Sequence, residues 1–240
     1  MRRAAVILLW SSLAASVAAC GGAKPSARST PAAPSAGATM TPAQIAAKST
    51  PSVVTIRTES SLGSGFVVRQ DGWVATNMHV VVGGPRVTVT LRDDRELEVV
   101  EVLAASPEHD LALLRVEAKG LPVLALGDSD AMHPGDPVVA IGHPLGLEDT
   151  VSNGLVSARR KVGDGFEVLQ VSAPIAPGSS GGPLINEHGE VIGIATAVLE
   201  GGQNLNFAVP IRYLRAMMRN PSPMAFSEFA TLIAQLRAAS

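Results

Sequence analysis
Between residues 52 and 210 the chain is cut into short β-rich runs by turn residues, and helical signal returns only after Pro210. A first group of six runs covers 53–57, 65–69, 73–76, 86–91, 96–102 and 111–116. Gln70-Asp71-Gly72, Gly83-Gly84-Pro85 and Arg92-Asp93-Asp94 supply turns between them. A second group of six covers 137–142, 150–158, 167–171, 183–185, 191–199 and 205–209. Two sets of six short strands predict an all-β fold of two packed antiparallel six-stranded barrels, the second starting near Asp136. Closure matters here. Cys20 is the single cysteine, so no intrachain disulfide can brace an open edge, whereas a barrel leaves no edge to protect. With 46% hydrophobic but only 3% aromatic residues, the core must be built from β-branched, aliphatic and small side chains.

The flanks read differently. Arg2 and Arg3 precede an apolar run from Ala4 to about Ala19, the pattern of a secretory signal rather than a membrane span. Its end, Val17-Ala18-Ala19-Cys20-Gly21, resembles the bacterial lipobox, which implies cleavage before Cys20 and a lipid anchor on its thiol. Several acyl chains hold a protein firmly where one holds it marginally, each buried methylene contributing roughly 0.8 kcal/mol. Gly21 after the cysteine favours outer-membrane delivery, facing the periplasm, in a host with two membranes. Residues 20–41 are rich in Ala, Pro, Ser, Thr and Gly without apolar periodicity and read as a flexible tether. Thr41 can cap a short helix that begins at Pro42. Two helices are expected at 211–219 and 227–238, with Phe226, Phe229, Leu232, Ile233 and Leu236 as an apolar face against the chain's own surface. The expected organisation is a lipoprotein signal peptide at 1–19, the tether at 20–41, the barrel domain at 42–212 and a helical extension at 213–240.

A net charge of −2 with no basic stripe argues against nucleic-acid binding. The five histidines show no ligand spacing and thiolate partners are missing, so neither a metal nor another cofactor is expected. Pro177-Gly178-Ser179-Ser180-Gly181-Gly182-Pro183 is too small to fill a core and can instead form a backbone-rich loop. Such a loop can present a hydroxyl beside converging main-chain N–H groups, as acyl transfer requires. Alone it is equally a turn between strands. His79, directly after a predicted strand, and Asp110, just before one, are each also ordinary strand-end residues. Together they stand in the order His, Asp, Ser used by chymotrypsin-type enzymes.

The motifs around them resemble the HtrA/DegP (Deg) trypsin-like serine proteases. The matching stretches are Gly63-Ser64-Gly65-Phe66, Thr76-Asn77-Met78-His79-Val80-Val81 and Asp110-Leu111-Ala112. Ile141-Gly142-His143-Pro144-Leu145-Gly146-Leu147, Gly178-Ser179-Ser180-Gly181-Gly182-Pro183-Leu184, Gly189-Glu190-Val191-Ile192-Gly193-Ile194 and Phe207-Ala208-Val209-Pro210 complete an ordered series. The resemblance implies a chymotrypsin-like double barrel in which Ser180 is nucleophile, His79 general base and Asp110 the acid that orients it. It implies an oxyanion hole from the Gly178 and Ser180 amides. His109 is set aside as the acid's rival, because strand alternation would turn it to the face opposite Asp110. The substrate pocket is expected between residues 172–176 and 194–198, with Ile175, Ile194, Ala195 and Thr196 in contact. No acidic residue lies in either segment, so small apolar side chains are the expected preference, and an unfolded polypeptide could add as a strand.

Departures are equally specific. Ser179 stands where the family has Asn, Ser172 where it has Asp, and His143 where Asn is common. Only 30 residues follow Pro210, below the roughly 50 that a domain needs, so the expectation is a protease domain without the family's PDZ domain. The resemblance also implies a homotrimer among its assemblies. The expected activity is endopeptidase action on unfolded or damaged polypeptides in the cell envelope. A lipoprotein that binds polypeptide without cleaving it, and an esterase with the same triad, are the alternatives.

Overall fold
The computed structural model describes residues 39–142, 150–162, 165–196 and 206–238. The signal sequence, Cys20, most of the tether and His143 lie outside the described residues. Helix α1 (Pro42–Ser49) and a 3-10 turn (Thr50–Ser52) lead into β1 (Val53–Arg57), β2 (Leu62–Arg69), β3 (Trp73–Asn77), the one-turn helix α2 (Met78–Val81), β4 (Thr88–Thr90), β5 (Glu96–Ser106) and β6 (Leu111–Val116). Next come β7 (Pro137–Gly142), β8 (Thr150–Val162), β9 (Phe166–Val171), β10 (Pro183–Asn186), β11 (Val191–Thr196) and β12 (Asn206–Pro210). Helix α3 (Ile211–Arg219), β13 (Met224–Ala225) and α4 (Phe226–Ala238) follow.

The first sheet runs β5-β4-β1-β2-β3-β6 and closes through antiparallel β5–β6 pairing, with β13 added outside on β5. The second closes as β10-β11-β12-β9-β8-β7. This is the all-β pair of six-stranded barrels with a C-terminal helix that the spacing of the runs predicts. Two strands run further than their composition suggests. β5 continues to Ser106 because register shifts at Val99/Glu101 and Val102/Ala104 bend it, so that one strand serves both β4 and β6. β8 continues through Arg159, Arg160 and Lys161, beyond the strand expected at 150–158. Cross-strand partners explain this: Arg160 Nε donates to Gln170 Oε1 (2.9 Å), and Arg159 pairs with Asp130 (2.9 Å) and Glu167 (3.7 Å).

The runs look continuously apolar because the strands are buried on both faces. In β6, Leu111 and Leu113 enter a core shared between the barrels, while Ala112 and Leu114 enter the first barrel's own. In β7, Val139 and Ile141 face the shared core, and Val138 and Ala140 the second barrel's interior. Each such Val, Ile or Leu contributes about 1.5–3 kcal/mol of burial. The shared core is what holds the two halves of the site in register.

At the amino end, the Gln44 N–H donates to Thr41 Oγ1 (3.3 Å) and the Thr41 N–H to Gln44 Oε1 (2.9 Å), a reciprocal cap that starts α1. The Met40 N–H donates to Glu187 O (2.7 Å), and Ile45 enters the shared core. At the other end the expected apolar face divides. Phe226 and Phe229 are buried in the first barrel's core, whereas Leu232 and Leu236 are 44% and 58% exposed. Ile233 packs partly buried against the same core, so α4 is a packing element from Phe226 to Ile233.

Arg212, at the start of α3, hydrogen-bonds Glu167 Oε2 (2.7 Å), Asp130 Oδ1 and the Tyr213 hydroxyl (3.1 Å). Its guanidinium holds both carboxyls below the usual carboxylate range. The Tyr213 hydroxyl also accepts from the Glu167 N–H (3.1 Å), so α3 is tied directly to the β8–β9 hairpin beside the site.

Candidate active site
His79 and Asp110 come together across the first barrel. β3 ends at Asn77, the chain turns into α2, and His79 projects from that single helical turn with its side chain 40% exposed. Asp110 ends a tight turn with φ +52°, which L-residues adopt sparingly and Asp more readily than most. The turn is held from both sides: the Asn77 Nδ2 (2.9 Å) and Met78 N–H (3.0 Å) both donate to Asp110 O. Asp110 Oδ1 accepts from the His79 N–H (2.9 Å), and Oδ2 lies 2.6 Å from His79 Nδ1. A carboxylate can only accept, so Nδ1 carries a proton, and in the neutral imidazole Nε2 keeps its lone pair. That is the tautomer a general base needs.

Ser180 sits on a loop that belongs to the second barrel but rests on the first. The Ser180 carbonyl accepts from the Ser64 N–H (2.8 Å), and the Gly178 carbonyl from Ser64 Oγ (2.7 Å). Gly178 (φ +93°) and Gly181 (φ +87°) take conformations that disfavour a side chain. At Gly181 a Cβ would also lie 2.1 Å from Ser64 O and 2.3 Å from Thr76 Oγ1, so the loop docks closely on β2 and β3. The Ser179, Gly181 and Gly182 N–H groups donate to Ala176, Ala195 and Ser179 carbonyls at 2.9, 2.8 and 3.0 Å. The Gly178 and Ser180 N–H groups donate to no backbone carbonyl of the described residues. Ser179 is buried against Gly142, and Ser172 Oγ accepts from the Leu155 N–H (2.9 Å), which ties the end of β9 to β8.

The expected substrate contacts are distributed differently. Ile194 is wholly buried in the shared core, so its side chain is not a pocket wall. Ala195 is buried as well, and its N–H and carbonyl are both engaged, with Gly182 O and the Gly181 N–H at 2.8 Å each. Ile175 packs partly buried against the second barrel's core and donates its N–H to Asn206 Oδ1 (3.3 Å). Thr196 shares a face with Ile194 by strand alternation, but it lies where that core opens. Its hydroxyl approaches Asp110 Oδ2 at 3.5 Å, which makes it a neighbour of the acid. The remaining residues of the expected pocket edge, 197 and 198, lie outside the described residues.

Beside the pair is a cavity of about 330 Å³. Its lining includes His79, Asp110 and Thr196 together with the apolar Val162, Phe166 and Phe207. His109 lines it too, which corrects the expectation that it faces away from Asp110. Strand alternation begins only at Leu111; residues 107–110 form a turn, where it does not apply. His109 is held by Ser106 Oγ (2.7 Å from Nδ1) and packs on the Tyr213 ring with centroids 4.1 Å apart. Val162 and Phe166 had no signal in the sequence, because their place depends on the length of the β8–β9 hairpin. Among the described residues no three His, Cys, Asp or Glu side chains gather into a metal site.

Residues 63–194 match the family described as trypsin-like peptidase domain. The chain belongs to the trypsin-like peptidase family. This peptidase domain is 43% identical over 169 residues to the serine protease HhoB of Synechocystis sp., a match covering 68% of this chain and 40% of that protein. It is 45% identical over 157 residues to a periplasmic serine endoprotease, DegP-like, of Marinomonas sp., covering 63% of this chain and 33% of the other. Among solved structures, the HtrA-type protease AlgW with tripeptide superposes with a TM-score of 0.68 at 35% identity, over 75% of this chain and 62% of that one. A serine endoprotease from Yersinia pestis gives 0.66 at 32% identity, over 75% and 66%. Within the family the similarities thus run to proteins of HtrA and DegP type. The chain spans well under half the length of either curated relative.

Proposed function
We propose that this peptidase domain is a serine endopeptidase that cleaves unfolded or damaged polypeptide in the cell envelope through His79, Asp110 and Ser180. The observation that supports it most is the 2.6 Å contact of His79 Nδ1 with Asp110 Oδ2, which leaves Nε2 as the base. Ser180 Oγ attacks the scissile carbonyl carbon as Nε2 takes its proton, and the carbonyl π electrons move to oxygen. The Gly178 and Ser180 N–H groups receive the resulting oxyanion. Collapse of the tetrahedral intermediate breaks the C–N bond, the imidazolium protonates the leaving amine, and an acyl-serine remains. Water, deprotonated by the same imidazole, then attacks the acyl carbonyl; the C–O bond to Ser180 breaks, the imidazolium returns its proton to Oγ, and the product acid leaves. Asp110 stays ionised throughout and stabilises the transient imidazolium.

Unfolded β-casein is expected to be degraded while a folded, disulfide-braced protein of similar size survives the same incubation. Casein that is bound but left intact would instead support the non-cleaving alternative. Periplasmic relatives and the leader sequence support an extracytoplasmic site, with Cys20 carrying the lipid anchor. Detergent phase partition of the protein produced in a bacterial envelope checks the anchor. The native chain should enter the detergent phase and Cys20→Ser the aqueous phase, and equal partition of the two would remove the anchor from the account.

A further inference from the structure
We propose that Ser64 is a positioning residue for the oxyanion-binding loop, an inference that rests on the catalytic reading of His79, Asp110 and Ser180. Ser64 lies in β2 of the first barrel and is wholly buried. Three of its polar groups are committed to the site. Its hydroxyl donates to Gly178 O (2.7 Å), its N–H donates to Ser180 O (2.8 Å), and its carbonyl accepts from Thr76 Oγ1 (2.7 Å). Thr76 is two residues before Met78, on the strand that delivers His79. One residue therefore contacts both sides of the nucleophile and, through Thr76, the strand of the base.

The peptide geometry explains why this matters for chemistry and not only for packing. Ser180 N–H belongs to the peptide that links residues 179 and 180. The peptides on either side of it carry the Gly178 and Ser180 carbonyls, and both carbonyls are held by Ser64. With these two oxygens fixed toward the first barrel, neither can turn into the space where the oxyanion develops. The N–H ends of the same two peptides, those of Ser179 and Gly181, are anchored in the second barrel on Ala176 and Ala195, and Ser64 supplies their anchors in the first barrel, the one that carries His79. The Gly178 carbonyl is held across the barrel interface by a single side-chain hydroxyl, and the left-handed conformation of Gly178 leaves that peptide no steric wall of its own.

Since an oxyanion exists only after attack, loss of this bond should appear in the chemical step and spare ground-state binding. Ser64→Ala is expected to lower kcat roughly 10–100-fold, less than deletion of a donor outright, with KM within about two-fold of the wild type. A peptide boronate, whose adduct with Ser180 places an anionic oxygen in the hole, should lose affinity by a similar factor. The matching neutral peptide amide, which places no anionic oxygen in the hole, should bind unchanged. Ser64→Thr, which keeps the donor, should retain the wild-type ratio of boronate to peptide-amide affinity. The inference fails if Ser64→Ala keeps wild-type kcat in an enzyme that Ser180→Ala silences. It also fails if both ligands weaken equally, as general loosening would produce, or if Ser64→Thr shows the same selective loss. A wild-type protein that neither cleaves casein nor binds the boronate overturns the catalytic reading itself, and this inference with it.

Discussion
Ser180→Ala is expected to reduce casein hydrolysis by a factor on the order of 10⁶ in kcat, leaving the melting temperature within a few degrees of the wild type. The size of the effect follows from what the hydroxyl does. In the proposed mechanism it supplies the only bond-forming atom in the first chemical step, and the residual rate would belong to water attacking a carbonyl held near the Gly178 and Ser180 amides. The small change in stability follows from the loop. Ser180 is buried, but its docking is carried by its carbonyl through the Ser64 N–H and by the glycines around it, none of which the substitution touches. Steady-state kinetics with a thermal melt on the same sample check both halves. Substantial turnover in the variant would move the nucleophile elsewhere, and Ser179, buried against Gly142, would be the first residue to examine.

The second large effect is at Asp110. Asp110→Asn should lower kcat by roughly 10⁴ without unfolding the protein. The Asn carbonyl can still accept from the His79 N–H, so the α2 turn stays in place. The amide, however, must then face Nδ1 at a position where a carboxylate oxygen sits at 2.6 Å. An N–H donor there drives the imidazole proton to Nε2, and Nε2 can no longer accept the proton of Ser180. The loss lies in the tautomer rather than in the packing. A variant with near-normal turnover would assign the acid to another residue, and unchanged activity together with an unchanged melt would remove Asp110 from the mechanism.

The two barrels could be read because their strands are short, apolar on both faces and separated by Gly, Pro and Asp turns. The β8 extension past residue 158 could not, because Arg159 and Arg160 find their partners Asp130, Glu167 and Gln170 only once the fold brings these beside them. The pairing of His79 with Asp110 was legible from motif order. The left-handed turn at Asp110 was not, since it is imposed by Asn77 and Met78 donating to its carbonyl, and it is this turn that brings His109 into the same cavity. The substrate contacts were the least legible. Proximity along the chain named Ile194, Ala195 and Thr196 together, but alternation and pairing separate them into a core residue, a strut for the nucleophile loop and a neighbour of the acid. Ser64 stood within a recognised motif, yet its significance depends on a bond to Gly178 across 114 residues of sequence.

The central claim is that Ser180 is a nucleophile activated by His79. Incubation with a fluorophosphonate, followed by peptide mapping in a mass spectrometer, tests it most directly because the reagent reports an activated serine without needing the natural substrate. A single phosphonylated residue, Ser180, is expected, with labelling absent in Ser180→Ala and strongly slowed in Asp110→Asn. An adduct on a different serine, or an unlabelled wild-type protein at every temperature at which it stays folded, would contradict it.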